Sequence, residues 1–373
     1  RVSHALERKS HTTVLEVDLD AMIHNLNYFR ARLRPGVRLV AMVKAASYGA
    51  GDFEVAQMLQ HQGVNYLAVA FADEGVLLRE RGIRMPIVVL NADEGSFDLM
   101  VAHRLEPEIY NFRSLAFFSK AVERVGEESY PIHIKLDTGM HRLGFMEGEL
   151  DMLTETLGET PSVKVATIFS HLNCSDMPQE DRYTREQIAR FDRMSGRLAA
   201  ALPYPVLRHT ANSAAIERFP EAQFDMCRLG LGLYGFGFEH NDELKPVSTL
   251  KSRIVQLKHL SAGEAVGYGR AGKLTRDSVT ATVPMGYADG LDRHLSNGKG
   301  CVVVNGKRAP IVGNICMDVC MIDVTDIDCQ PGDRVEIFGE QLPVDEIAET
   351  LGTIPYEILT SVSTRVKRIY YRE

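Results

Sequence analysis

In the stretch AMVKAASYGAG, residues 41–51, an apolar run ends on Lys44, with Tyr48 and two glycines close behind. Desolvating an ammonium is costly. A lysine so placed either marks a solvent-exposed strand tip or carries an amine that must lose its proton and bond covalently. Other residues able to do chemistry close similar apolar runs further on. Lys135 and Asp137 lead through Thr138, Gly139 and Met140 to His141 and Arg142. His171 ends one run, His209, Asn212 and Ser213 another, and Arg228, Leu229 and Gly230 a third. Singly, each has a plain structural explanation: a hydrogen-bonded histidine, a surface arginine, or a serine capping the helix that begins at Ala214. Together they form a complementary set. It comprises a Schiff-base amine, phosphate donors (Tyr48, Ser213 and the backbone near Gly230 at a helix start), a flat ring partner in His171, and cations. Those are the needs of a phosphorylated aromatic aldehyde.

The elements that must position these residues alternate regularly over the first two-thirds of the chain. Apolar runs of strand length occur at 39–45, 66–71, 86–91, 105–111, 131–139, 164–171, 206–213 and 223–230. Helical patterns lie between them. Met22, Leu26, Phe29 and Leu33 recur at helical spacing after Asp20, a candidate cap, and EVAQMLQHQG stops at Gly63. Near-continuous apolar strands alternating with helices imply parallel strands buried on both faces. Eight of them match a closed (β/α)8 TIM barrel, in which strand C-terminal ends carry the chemistry; an open doubly wound sheet fits the same alternation.

From about Ser248 the texture changes to short β-branched runs, RIVQLKHL, SVTATVPMG, CVVVNGKRAPIVG and VCMIDVTD, separated by Gly, Asn and Asp. That is an antiparallel β-domain, with a helix at VDEIAETLG before the last strand RVKRIYY. The expected organisation is therefore an N-terminal extension or linker over 1–13, a cofactor-binding barrel over 14–247, and a β-domain over 248–373. Residues 14–20 are candidates to pair with the second domain.

Composition narrows the function. The 373 residues carry a net charge of −8 and no basic run with interleaved aromatics, which disfavours nucleic acid. No apolar stretch approaches the roughly 20 residues of a membrane-spanning helix. The polar N-terminus has no signal-peptide core, and the chain opens on Arg1 rather than methionine, as a piece of a longer natural chain would. Six cysteines without a CxxC pair suit a reducing cytoplasm; Cys316 and Cys320 lack the second pair that a metal site needs and read as buried thiols.

At this point a resemblance becomes specific. AMVKAASYG, KLDTGMHRLGF, FSHLNCSD, HTANSAA and FDMCRLGLGLYG resemble the alanine racemases, fold-type III enzymes that use pyridoxal 5′-phosphate. The resemblance continues through AVGYG, PMGYADGLDR, GNICMDVCMIDV and PYEILTSVSTRVKR, from about residue 12 to the end. The chain is also similar to racemase domains that form the C-terminal half of a fusion with a cell-wall peptide ligase.

The resemblance implies a two-base racemisation of alanine that supplies D-alanine for peptidoglycan. Lys44 is implied to hold the cofactor covalently and, once displaced, to act as one base, with an amine lowered from the usual value of about 10.4. Tyr268 is implied as the opposite base, contributed by the other subunit of a homodimer. Arg228 is implied to meet the pyridine nitrogen, and Arg142 the cofactor's phenolic oxygen and the substrate. Tyr48, His171, Asn212, Ser213, Gly230, Leu231 and Tyr356 are implied as further cofactor contacts and pocket wall, and the Met317 backbone as a contact for the substrate carboxylate. Lys135 is implied as a candidate for carbamylation. Asp176, Tyr287 and Arg293 are implied to line the outer channel, and no metal is implied.

Departures from the family pattern fall at KAASYG, at RLG after the eighth barrel strand, at Asn314 where many relatives carry an arginine, and at His141 where glycine is common. The segment GYGRAGK satisfies a glycine-rich nucleotide pattern, but Leu274 follows where a P-loop needs Ser or Thr, and β-rich sequence follows where a helix is needed. Three other readings stand beside alanine racemisation: a non-enzymatic pyridoxal-phosphate carrier, a fold-type III decarboxylase, and a serine or broad-specificity racemase. The second domain with Tyr268 speaks against the first. The second lacks visible motifs for a long cationic amine, and Tyr356 as a bulky pocket wall disfavours the third.

Overall fold

The computed structural model describes residues 10–238 and 242–372. Residues 1–9 of the expected N-terminal extension lie outside them. The chain divides into two compact units, Met22–Ser47 with Asp52–Lys245, and the N-terminal segment to Ala21 with Tyr48–Gly51 and Pro246 onward. Strand β1 (Val14–Asp18) belongs to the second unit, and its neighbours are given below.

The first unit is built from β2 (Arg38–Met42), β3 (Tyr66–Val69), β4 (Ile87–Val89), β5 (Glu106–Ile109), β6 (Tyr130–Lys135), β7 (Val163–Phe169), β8 (Leu207–His209) and β9 (Met226–Leu229). All pair in parallel, and β9 returns to β2 with Arg38 opposite Met226 and Ala41 opposite Leu229. The sheet is therefore a closed barrel, not the open doubly wound alternative. Its strands are short and buried, as strands covered on both faces must be. Helices such as Glu54–His61, Phe112–Arg124 and Asp181–Ala201 cover the outside through apolar stripes.

Local chemistry corrects two expectations. Helix Leu19–Arg30 is capped by Asp18, whose Oδ1 accepts from Ala21 N at 2.9 Å, and not by Asp20; the helix ends before Leu33. Asn212 caps helix Ser213–Arg218 by accepting from Ala215 N at 3.1 Å, which frees Ser213 from that task.

The second unit adds β10 (Ser248–Arg253), β11 (Gln256–Leu260), β12 (Ala265–Val266), β13 (Gly272–Lys273), β14 (Ser278–Val283), β15 (Cys301–Val304), β16 (Lys307–Val312), β17 (Cys320–Asp323), β18 (Arg334–Phe338) and β19 (Lys367–Tyr371). Nine strands form one sheet in the order β11-β14-β17-β16-β15-β18-β10-β1-β19. It is antiparallel except where β1 runs parallel to β19. The run RIVQLKHL is split between β10 and β11 at Ile254 and Val255, and β18 is a strand that the β-branched runs did not announce. GYGRAGK folds as a short turn, Tyr268–Arg270, within the β12–β13 hairpin. No βαβ unit surrounds it, so the nucleotide reading fails. All six cysteines are free thiols; Cys320 is buried and Cys316 half-buried.

Candidate active site

β2 ends at Met42, two residues before Lys44. Lys44 instead opens a turn in which Ala45, Ala46, Ser47 and Tyr48 all adopt left-handed φ, from 51° to 54°. Each non-glycine residue in that conformation costs roughly 1–2 kcal/mol, so the surroundings must hold the turn in place. Ala45 N donates to Glu74 Oε2 at 2.6 Å, while Glu74 Oε1 accepts from Ala70 N and Phe71 N at 2.8 and 3.0 Å. Ser47, one of the departures from the family pattern, is buried and meets the Tyr234 hydroxyl. Glu74 thus ties the turn after β2 to the loop after β3. Sequence reading did not single it out, although the carboxylate sits in a helix first turn, where amides gather.

Burial, more than any single charge, draws the Lys44 amine below its usual range. Arg142 and then Arg228 add to the fall, and Glu74 partly opposes it. Arg228 on β9 is itself buried and fully engaged on one side. Its Nη1 donates to His209 Nδ1 at 2.9 Å, and its Nη2 faces Ser170 O at 2.8 Å, Thr210 O at 3.1 Å and His171 Nδ1 at 3.4 Å. Burial lowers this guanidinium to about 10, so it stays charged at neutral pH. Its Nε–H meets no acceptor among the described residues, which leaves one directed donor. His171 is held well below its ordinary range by burial and then by Arg228, and is therefore neutral.

Lys135, on β6, stands 3.4 Å from Glu108 Oε1, and both side chains are buried. Burial brings its amine down to about 8; the same burial raises Glu108, opposed by Lys135, Arg142 and Arg228. Asp137 accepts from Gly139 N and His141 N at 3.0 and 3.1 Å and pairs with His141 Nδ1 at 2.9 Å. Those bonds stabilise the left-handed φ of 56° at His141 and fix the loop that carries exposed Arg142.

Ser213 Oγ accepts from Gly230 N at 2.9 Å and Gly232 N at 3.3 Å. With both lone pairs engaged, the hydroxyl has only its proton left to offer, which suits an anion. A Cβ on Gly232 would lie 2.4 Å from the Phe29 ring and 3.2 Å from Ser213 Cβ, so the close approach requires glycine. Leu231 follows in the same short turn, Leu231–Tyr234. Asn212 is occupied as a cap and accepts from Ser175 Oγ at 2.8 Å. Asp176 is exposed.

In the second unit, Tyr48 is buried with its ring 5.3 Å from that of half-exposed Tyr356. Tyr268 is 72% exposed, in a turn with left-handed Gly267, Gly269 and Arg270. Its carbonyl accepts from Asn314 Nδ2 at 3.2 Å, and Asn314 Oδ1 accepts from Asn297 Nδ2 at 3.0 Å. Met317 O accepts from Ala288 N and Cys316 O from Tyr287 N, both at 3.0 Å. Tyr287 and Arg293 share an open depression of about 420 Å³ with His294 and Glu357. The structure thus gathers Lys44, Lys135, Arg142, His171 and Arg228 in one electrostatic cluster, and Ser213 with Gly230 at a helix start. It also pairs Tyr48 with Tyr356.

Comparison with known proteins points the same way for the whole chain. Residues 17–237 match the family model for the alanine racemase N-terminal domain, and residues 247–370 that for the alanine racemase C-terminal domain. The chain is 38% identical to alanine racemase 1 of Clostridium acetobutylicum over 369 residues, covering 96% of this chain and 95% of that protein. It is similar to the structure of alanine racemase from Clostridium difficile 630, with a TM-score of 0.91, 34% identity, and coverage of 97% of this chain and 96% of that one. It is also similar to alanine racemase from Bartonella henselae with covalently bound pyridoxal phosphate, with a TM-score of 0.86, 31% identity, and coverage of 96% and 99%. This chain belongs to the alanine racemase family.

Proposed function

We propose that this chain interconverts L-alanine and D-alanine with pyridoxal 5′-phosphate, as a cytoplasmic homodimer that supplies D-alanine for peptidoglycan. The observation that carries the reading is the amine of Lys44, lowered by burial beside Arg142 and Arg228 in a barrel of this family. The donor set suits the cofactor. It offers an amine ready to lose its proton, a guanidinium Nε–H on Arg228, a neutral ring at His171, and a Ser213 hydroxyl left to donate beside Gly230. Asn212 and Leu231 fix the geometry of that turn, and Tyr48 and Tyr356 complete the proposed contacts.

When bound, the cofactor supplies electron withdrawal that acidifies the Cα–H bond of the amino acid. Lys44 Nζ then takes or returns the proton on one face of Cα, and Tyr268 Oη of the partner subunit does so on the other. Arg228 keeps its proton, so a ring nitrogen in front of it stays an acceptor, which restrains side reactions that need a stronger electron sink. Arg142 and the Met317 backbone hold the substrate, and Asp176, Tyr287 and Arg293 line its approach. Purified protein supplied with the cofactor should absorb in the visible range, and L-alanine should yield D-alanine in an assay coupled to D-amino-acid oxidase. No D-alanine under those conditions would sink the proposal.

Two further outcomes follow from single positions. Tyr356→Asn is expected to raise turnover of serine relative to alanine by opening the pocket wall; an unchanged ratio would remove the argument for a small substrate. Lys135, the candidate for carbamylation, has its amine brought down to about 8 by burial, which favours the neutral form able to add carbon dioxide and release a proton. Carbon-13 NMR after growth with labelled bicarbonate is expected to show a carbamate in the wild type that Lys135→Ala removes. No such signal would contradict this.

A further inference from the structure

The barrel interior holds a line of polar groups that leads to Arg228 and, short of it, has no part in the chemistry described so far. Glu106 on β5 lies 2.9 Å from His133 Nε2, and His133 Nδ1 lies 2.6 Å from Thr167 Oγ1. Thr167 Oγ1 lies 3.2 Å from His209 Nε2, and His209 Nδ1 2.9 Å from Arg228 Nη1. All five side chains are buried, with Glu106 the most accessible at 8%. We infer that Glu106 is a positioning residue for Arg228, acting through a chain of four hydrogen bonds whose protons all point the same way.

The direction is set by the two ends. A guanidinium can only donate, so His209 Nδ1 must accept. His209 is neutral, since burial and then Arg228 hold it well below its ordinary range. A neutral imidazole accepting at Nδ1 carries its proton on Nε2 and donates it to Thr167 Oγ1. The Thr167 hydroxyl has no third partner among the described residues, so its proton goes to His133 Nδ1. His133 then bears its own proton on Nε2, opposite a carboxylate that can only accept. Reversing any one link would set two lone pairs or two protons face to face inside a buried core.

Neighbouring rings hold the imidazoles in plane for this. Phe169 stacks on His209 at 4.9 Å and 3°, and Tyr66 meets His133 edge-on at 5.5 Å. The cavity beside them has only about 10 Å³, the lower bound for one water. The chain therefore links the buried guanidinium to a carboxylate it never touches. Direct contact would occupy its donors; the relay leaves Nε–H free. The catalytic consequence rests on the proposed role of Arg228, whereas the proton order does not.

The test is nitrogen-15 NMR of histidine-labelled holoenzyme, the two buried rings being assigned by His133→Gln and His209→Gln. Both should read as neutral rings with the proton on Nε2. A proton on Nδ1 of His209, or a doubly protonated His133, would overturn the inference. Glu106→Gln keeps an acceptor for His133 but removes the charge. Its His209 nitrogens should shift, and kcat should fall roughly tenfold with KM for alanine unchanged, because the relay loses a charged end. His209 resonances that stay put, or an unchanged kcat, would equally overturn it. Absence of any racemisation by a wild type with the expected protons would count against the proposed function instead.

Discussion

Lys44→Ala is expected to abolish covalent cofactor attachment and to lower racemisation in both directions by roughly 10⁴-fold or more, since one residue supplies both the anchoring amine and a base. Lys44→Arg should fare no better, because a guanidinium keeps charge and length but does not give up its proton. Borohydride reduction of the wild type followed by peptide mapping should place the label on Lys44. Label on Lys135, a second buried amine with a lowered pKa, would reverse the assignment. The pH dependence has a definite sign. Burial, Arg142 and Arg228 lower Lys44 and Glu74 raises it, so the free amine appears at lower pH than for an exposed lysine. Removing the opposing charge in Glu74→Gln should move that onset lower still. An onset moving upward would mean that the electrostatics around this amine are misread.

How much of this the sequence discloses depends on what each segment must bury. The barrel is legible because parallel strands covered on both faces read as apolar runs, and Leu39 to Met42 or Ile87 to Val89 can hardly be anything else. β5 hides its content for the same reason. Glu106 and Glu108 alternate with Pro107 and Ile109, and His133 and Lys135 alternate likewise on the next strand. A search for apolar runs discards the charges, whereas two adjacent strands with ionisable groups at a spacing of two signal a buried polar network. The turn after Lys44 was illegible on other grounds. Nothing in Ala-Ala-Ser announces left-handed backbone, which is held by Glu74 and Tyr234 from distant parts of the chain. β18 was missed because Val335 and Ile337 alternate with charged residues in too short a stretch to stand out. Conversely, Lys44, Arg142, His171, Ser213 and Arg228 were all legible as strand-end chemistry, and the structure places them in the barrel unit.

Tyr268→Ala is expected to slow removal of the Cα hydrogen from L-alanine by roughly 10²–10⁴-fold, the usual span for a positioned general base, and to affect D-alanine far less. Equal loss of deuterium exchange from both isomers would contradict a one-face role. The turn that presents this phenol is built for display, with positive φ at Gly267, Gly269 and Arg270 on either side of an exposed ring and Asn314 holding its carbonyl. Mixing two inactive variants decides which chain it serves. In a hybrid of Lys44→Ala and Tyr268→Ala subunits, one site receives both defects and the other receives neither, provided the phenol crosses to the partner. Random pairing makes half the dimers hybrids with one working site in two, so about a quarter of wild-type activity should return in a closed two-fold dimer. If the phenol instead serves its own chain, every site in the mixture lacks one base and no activity returns.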